Sequence, residues 1–157
     1  MSMKIVSTAF EHQGMIPSRY TCDGTNVSPP LSWSELPAGT RSLALIVTDP
    51  DAPDPKAPKT TWVHWVLYDL PADATGLREA IPPKGLPPGT LEGANDWGKI
   101  GYGGPCPPRG SNHRYYFKVY ALSAPLELEP GAKRDAVLKA LKQKTLAEGQ
   151  LMGRYGR

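Results

Sequence analysis

Reactive side chains are scarce in this sequence: 157 residues hold two cysteines and three histidines. Cys22 and Cys106 are too few for a disulfide framework, and no Cys-x-x-Cys pair exists to build a zinc knuckle or a thioredoxin-type motif. In a cytosolic chain the ordinary state of such a pair is two reduced thiols. The alternative is a single bridge clamping the two loops that carry them. No apolar run approaches the roughly 20 residues that span a bilayer, and the opening MSMKIVSTAF has no signal-peptide core. A soluble, cytoplasmic protein is therefore expected. The excess of 18 basic over 15 acidic residues, +3, is too small and too scattered for a nucleic-acid footprint. Gly-x-Ser-x-Gly, His-Glu-x-x-His and Gly-Lys-Ser/Thr are all absent, which excludes an α/β-hydrolase elbow, a common zinc-protease helix and a phosphate loop.

Turn-forming residues are abundant instead, with 16 glycines and 18 prolines, and they predict many turns and long shaped loops. The length suits one domain, 1–157, whose core needs no staple to fold. Strand patterns occur at 4–8, 42–48, 62–69 and 115–122. SLALIVT at 42–48 is a continuous apolar run. In WVHWVLYD (62–69), a period of two puts Trp62, His64, Val66 and Tyr68 on one face, with Val63, Trp65 and Leu67 on the other. YYFKVYAL (115–122) sends Tyr115, Phe117, Val119 and Ala121 to one side, opposite Lys118 and Tyr120.

Segments 49–60, 82–90 and 101–112 read as loops. In the first, Pro50, Pro53, Pro55 and Pro58 argue against both helix and central strand. One helix is predicted at 133–148, with Val137, Leu138, Leu141 and Leu146 as its stripe and Gly149 beyond its end. Strands first and a helix last, without βαβ alternation, predict a mainly antiparallel β-sandwich. Trp33 and residues 95–97 are open to core, interface and pocket-rim readings, with core the default for each.

The candidate chemistry gathers around a few positions. His12 lies in a polar stretch and is expected in solvent. His64 and His113 each stand at a strand edge beside a Pro/Gly loop. Asp49 and Asp51 follow the apolar run directly, with proline fixing the backbone between and after them. Each of the four alone has an ordinary structural reading, as a turn opener or a satisfied core histidine; together they mark a small-molecule site. In 101–117, the amides of Gly103, Gly104, Cys106, Arg109 and Gly110 could form an anion-binding concavity beside a histidine. A His2Asp2 metal site from the four residues is chemically feasible but has no specific spacing, and no metal or cofactor is assigned.

TDPDAP at 48–53, WVHW at 62–65 and GPCPP…HRYYFKVYAL at 104–122, in that order and separation, resemble the phosphatidylethanolamine-binding protein family, also called Raf kinase inhibitor-like proteins. AFEHQGMIPSRYTCDGTNVSPPLSW (9–33) and LAEGQLMGRYGR (146–157) resemble its bacterial and archaeal YbhB/YbcL-type branch. The resemblance implies a Greek-key antiparallel β-sandwich with a few short helices, and a shallow pocket for phosphate, acetate or a phosphoethanolamine head group. By motif match, its ligand-binding residues are Asp49, Asp51, Trp62, His64, Gly104, Pro105, Pro108, His113 and Tyr115, with Arg114 and Asp51 serving more as supports. A non-enzymatic regulatory protein is implied, without cofactor, acting on kinases or serine proteases and forming a homodimer. The competing reading is a phosphoester- or metal-dependent hydrolase using the same pocket. Asp49 is expected to raise the pKa of both histidines and to accept the last proton of a phosphomonoester, so that binding weakens above about pH 7.

Overall fold

The apolar run at 42–48 is buried on both faces because it runs through the middle of a sheet. It belongs to β3 (Ser42–Ala52), which lies between β4 (Thr60–Pro71) and β7 (Asn112–Leu122). Beyond these lie β6 (Leu91–Glu92) and β8 (Thr145–Gly156), giving the antiparallel order β6-β4-β3-β7-β8. A second antiparallel sheet is built from β1 (Lys4–Val6), β2 (Leu31–Ser34) and β5 (Gly76–Leu77). This computed structural model describes residues 3–54 and 56–157, so Pro55 of the first proline-rich loop lies outside it.

Between the sheets, Leu43, Leu45, Val47, Phe117 and Val119 pack against Ile5, Leu31, Trp33 and Leu77. On the outer face of the larger sheet, Ala44, Ile46, Val66, Tyr68 and Tyr120 are covered by Leu126 and by Val137 and Leu141 of α1 (Arg134–Leu141). Each large apolar side chain buried this way contributes about 1.5–3 kcal/mol. The result is the mainly β, antiparallel sandwich that the strand patterns predict.

Two stretches differ from the sequence-based expectation. The helix predicted at 133–148 stops at Leu141, whose carbonyl accepts the Lys144 N–H and the Thr145 hydroxyl. Residues 145–156 then form β8, and Leu146 is exposed rather than part of a helical stripe. The strand was hard to see because its inward positions read Ala147, Gly149, Leu151, Gly153 and Tyr155, so the period-two signal is diluted by glycine. Both glycines are needed: a Cβ at Gly149 would collide with the Met3 carbonyl, and one at Gly153 with Ile16 and Phe10.

The second difference is at 49–60, where strand continues through Asp49–Pro50–Asp51 to Ala52 and resumes at Thr60. Pro50 is tolerated in this central strand because the β3–β7 ladder ends at Thr48 and the β3–β4 register shifts between Asp49 and Ala52. No ladder bond is asked of its missing N–H.

Candidate functional site

The site is made by three adjacent strands presenting polar residues at one end of the same sheet face. β3 supplies Asp49, β4 supplies His64, and β7 supplies His113 and Tyr115. A β-bulge aims one of them. Val47 pairs with Trp65 while Thr48 pairs with Val63, so His64 is the extra residue in β4. The bulge breaks the strict alternation expected for 62–69. Trp65 and Leu67 join the inter-sheet core, and Val63, Val66 and Tyr68 face the helix. His64 turns inward beside Tyr115, with ring centroids 5.2 Å apart. Re-aiming a side chain at a strand end is a recurrent use of a bulge.

Each histidine is held by one ring nitrogen. His64 Nδ1 donates to the Gly103 carbonyl at 2.7 Å, and His113 Nδ1 donates to Asp49 Oδ2 at 2.6 Å. Carbonyl and carboxylate oxygens only accept here, so Nδ1 carries the proton in both rings. The other carboxylate oxygen, Asp49 Oδ1, accepts the Asp51 backbone N–H at 2.7 Å. Each Asp49 oxygen thus already accepts one hydrogen bond. His64 Nε2, His113 Nε2 and Tyr115 Oη are buried without a hydrogen-bond partner.

These side chains line a cavity of about 250 Å³ with Asp49 and Trp62. Ala52, Pro53, Trp97, Cys106, Pro107 and Pro108 complete its wall. Trp97 is 43% exposed and stands edge-on to both His64 (5.0 Å) and Trp62 (5.6 Å), so it is a rim residue, the pocket-edge alternative rather than the default core. Trp33, by contrast, is core. Trp97 carried no motif signal; its position follows from Asn95, whose Oδ1 accepts the N–H groups of Trp97 and Lys99. Asp96 then ties the turn to β4 through the Val63 N–H at 2.7 Å.

The remaining expected site residues lie elsewhere. Asp51 accepts from Arg114 Nη2 at 2.7 Å, Arg114 Nε at 3.0 Å and the Arg114 backbone N–H at 2.9 Å, which fixes the β3 end to β7. That guanidinium holds the Asp51 carboxyl below its ordinary pKa against the opposing effect of burial. Gly104 and Pro105 do not line this cavity. Gly104 is pressed against the Tyr20 carbonyl and donates to Asn26 Oδ1 at 2.9 Å, while the Pro105 carbonyl accepts from the Cys22 N–H. His12 is exposed, as expected, and its Nδ1 accepts the Met152 N–H.

Three expectations need correction. Three of the five loop amides expected to cradle an anion are already taken: the Gly103, Gly104 and Gly110 N–H groups bond to the His64 carbonyl, Asn26 and the Arg157 carbonyl. Burial outweighs Asp49's charge and the Gly103 hydrogen bond at His64, pushing its pKa below the ordinary histidine value. The His2Asp2 arrangement, to which no metal is assigned, is not assembled: Asp49 and Asp51 are engaged with His113 and Arg114, and among the described residues no group of three or more His, Cys, Asp or Glu is placed to hold a cation. Finally, Cys22 and Cys106 are bridged, with a Cα–Cα distance of 5.4 Å, because the Cys22 N–H to Pro105 hydrogen bond sets the two loops side by side. Tyr115 keeps its phenol proton; burial first, then the Asp49 charge, raise its pKa.

Residues 6–156 match the sequence model of the phosphatidylethanolamine-binding protein family. A UPF0098 protein of Methanothermobacter thermautotrophicus is 51% identical over 156 residues, covering 99% of both chains. The crystal structure of a phosphatidylethanolamine-binding protein homologue from Chlamydia trachomatis superposes with a TM-score of 0.89 at 38% identity, covering 99% of this chain and 98% of that one. Escherichia coli YbcL superposes with a TM-score of 0.90 at 31% identity, covering 100% and 99%. Sequence and fold agree, and the chain belongs to the phosphatidylethanolamine-binding protein family.

Proposed function

We propose that the cavity binds a singly protonated phosphomonoester, of which phosphoethanolamine is the type, and that the protein acts by binding rather than by turnover. The observation carrying this reading is the convergence of His64 Nε2, His113 Nε2 and Tyr115 Oη, all buried and unpartnered, on one cavity. An orphaned buried polar atom costs about 1–3 kcal/mol. Three in one place are best explained by a ligand that completes their hydrogen bonds.

Their chemistry selects the ligand. Neutral His64 donates its Nδ1–H to the Gly103 carbonyl, so its Nε2 accepts. Tyr115 can donate. His113 Nε2 accepts from the neutral ring and donates from the charged one. A phosphomonoester monoanion offers both an O–H and acceptor oxygens. A dianion, or a carboxylate at neutral pH, has no proton for His64. The receiver of the ligand proton is therefore His64, not Asp49 as first expected. Trp62 and Trp97 line the cavity, and aromatic rings there suit the ammonium of phosphoethanolamine.

Binding without turnover is favoured because the cavity lining contains no lysine, arginine, serine or threonine among the described residues. It offers neither an activated hydroxyl nor a fixed cation for the charge of a phosphoryl-transfer transition state. A protein partner, a kinase or serine protease, completes the reading, with exposed Trp97 and Ile100 beside the cavity as the apolar contact. The test is a phosphoethanolamine titration of the wild type and His64→Ala, followed by amide shifts at about pH 6 and about pH 8, with the ligand assayed afterwards. Saturable binding is expected, tighter at the lower pH, absent in the variant, with ligand intact. Free phosphate released by the wild type alone would establish the hydrolase reading instead, and no saturable binding would refute the assignment of the cavity.

A further inference from the structure

The wall of the cavity contains half of a disulfide. Cys106 and the following Pro107 and Pro108 line it, and Cys106 is bridged to Cys22, 84 positions earlier. Both cysteines are exposed, so the bridge can be reached by a thiol from solvent. Pro105, Pro107 and Pro108 have no N–H to donate, so those positions join backbone bonds only through carbonyls, Pro105 accepting from Cys22 and Pro108 from Ser111. The disulfide adds a covalent tie beside the single Cys22–Pro105 backbone bond that joins the two loops.

The two sulfurs are not equivalent. Arg157 Nη1 lies 3.6 Å from Cys106 Sγ and 3.4 Å from the Pro107 carbonyl. Arg157 Nη2 is anchored 3.2 Å from Asp23 Oδ1, the residue after Cys22. A guanidinium beside a sulfur stabilises its thiolate, and the better-stabilised thiolate is the better leaving group in exchange.

We propose that the bridge is a thiol-exchange site, in which Cys22 is attacked, Cys106 is released, and release loosens the wall of the anion cavity. A dithiol reductant supplies the chemistry. Its first thiolate bonds to Cys22 Sγ, and the electron pair of the broken S–S bond moves to Cys106 Sγ beside Arg157. The second thiolate of the reductant attacks the mixed disulfide and frees Cys22, so two electrons and two protons pass from the dithiol to the protein. The half of this proposal that concerns the ligand rests on the binding function proposed above; the exchange step stands apart from it.

Two measurements on the whole chain separate those halves. First, the oxidised protein is exposed briefly to glutathione, quenched by alkylation, and mapped by mass. Glutathione is expected on Cys22 and the alkyl group on Cys106, in an excess of about ten to one, with Arg157→Gln reducing that excess about three-fold or more. Equal labelling, or an excess on Cys106, overturns the exchange assignment. Second, phosphoethanolamine is titrated into the oxidised protein and into protein held reduced by dithiothreitol, with amide spectra checking that the fold persists. An affinity at least about five-fold weaker in the reduced, folded protein supports the loosened wall, and equal affinity overturns it. The Cys22→Ser/Cys106→Ser double variant should match the reduced protein; wild-type affinity in it also overturns the claim. If the oxidised protein binds no phosphoethanolamine, the binding function and the loosened-wall claim fail together, while the glutathione result still decides the exchange step.

Discussion

Replacing Asp49 by asparagine should reverse the hydrogen-bonding sense of the histidine facing it. Asp49 Oδ1 accepts the Asp51 backbone N–H at 2.7 Å, and a backbone donor cannot change sense. The asparagine oxygen must therefore stay there, and its amide NH2 must take the place of Oδ2, which now accepts from His113 Nδ1 at 2.6 Å. Two donors cannot face each other, so the neutral His113 ring moves its proton to Nε2 and presents a donor to the cavity. The wild type at high pH offers only acceptors from its two rings; Asp49→Asn offers one acceptor and one donor. One fewer proton is then coupled to phosphomonoester binding. Each coupled proton changes the logarithm of the affinity by about one per pH unit, about 1.4 kcal/mol. The fall in phosphoethanolamine affinity between about pH 7 and about pH 8.5 should thus be shallower in the variant by about a decade per unit. Its folding stability should drop by about 1–3 kcal/mol for the lost charged hydrogen bond. Titrations across that range, with nitrogen chemical shifts reporting the tautomer, form the assay. A pH profile parallel to the wild type would refute the reasoning.

Three further outcomes follow from the same geometry. Arg114→Met should cost about 3 kcal/mol because it strands the buried Asp51 carboxylate, whose side chain is 6% exposed. Asp51→Asn should cost only about 1–2 kcal/mol, since Arg114 is 43% exposed and stays hydrated; chemical denaturation in which Asp51→Asn is the costlier would contradict this. His64 has a folded pKa pushed below its unfolded value by burial, so its neutral form supports the fold above about pH 6.5 and stability is lost as pH falls below that point, by up to about 1.4 kcal/mol per unit. His64→Gln should flatten that slope in denaturant midpoints, and an unchanged slope would assign it to other groups. Removing the disulfide, which closes a loop of 84 residues, should lower stability by up to about 4.5 kcal/mol by the chain-entropy argument, with a loss below about 1 kcal/mol contradicting it.

Much of the fold was legible in the sequence where the period-two signal was intact. Tyr115, Phe117, Val119 and Ala121 do share the inter-sheet face, and SLALIVT is a central strand because apolar residues satisfy both of its sides. The signal failed at β8, where glycine fills inward positions demanded by the close approach of Met3, Ile16 and Phe10. It also failed at His64, because a bulge is a register event between two strands and leaves no trace in either alone. The motif-bearing residues Asp49, His64, His113 and Tyr115 come together at the cavity, whereas Gly104 and Pro105 shape the loop behind it. Trp97 stayed open between core, interface and rim, since its position depends on Asn95 and Asp96 folding a turn back onto β4. The cysteine pair was undecidable from composition; the Cys22–Pro105 backbone bond that aligns it joins loops far apart in sequence.

The central claim is that two rings with their protons committed to Gly103 and Asp49 meet the ligand through bare nitrogens. It is tested most directly by counting protons taken up when phosphoethanolamine binds, from calorimetric titrations at about pH 8 in buffers of differing ionisation heat. At that pH the free ligand's phosphate is largely dianionic, so the account predicts uptake of about one proton or more per ligand bound. Saturable binding with no net proton uptake would contradict it.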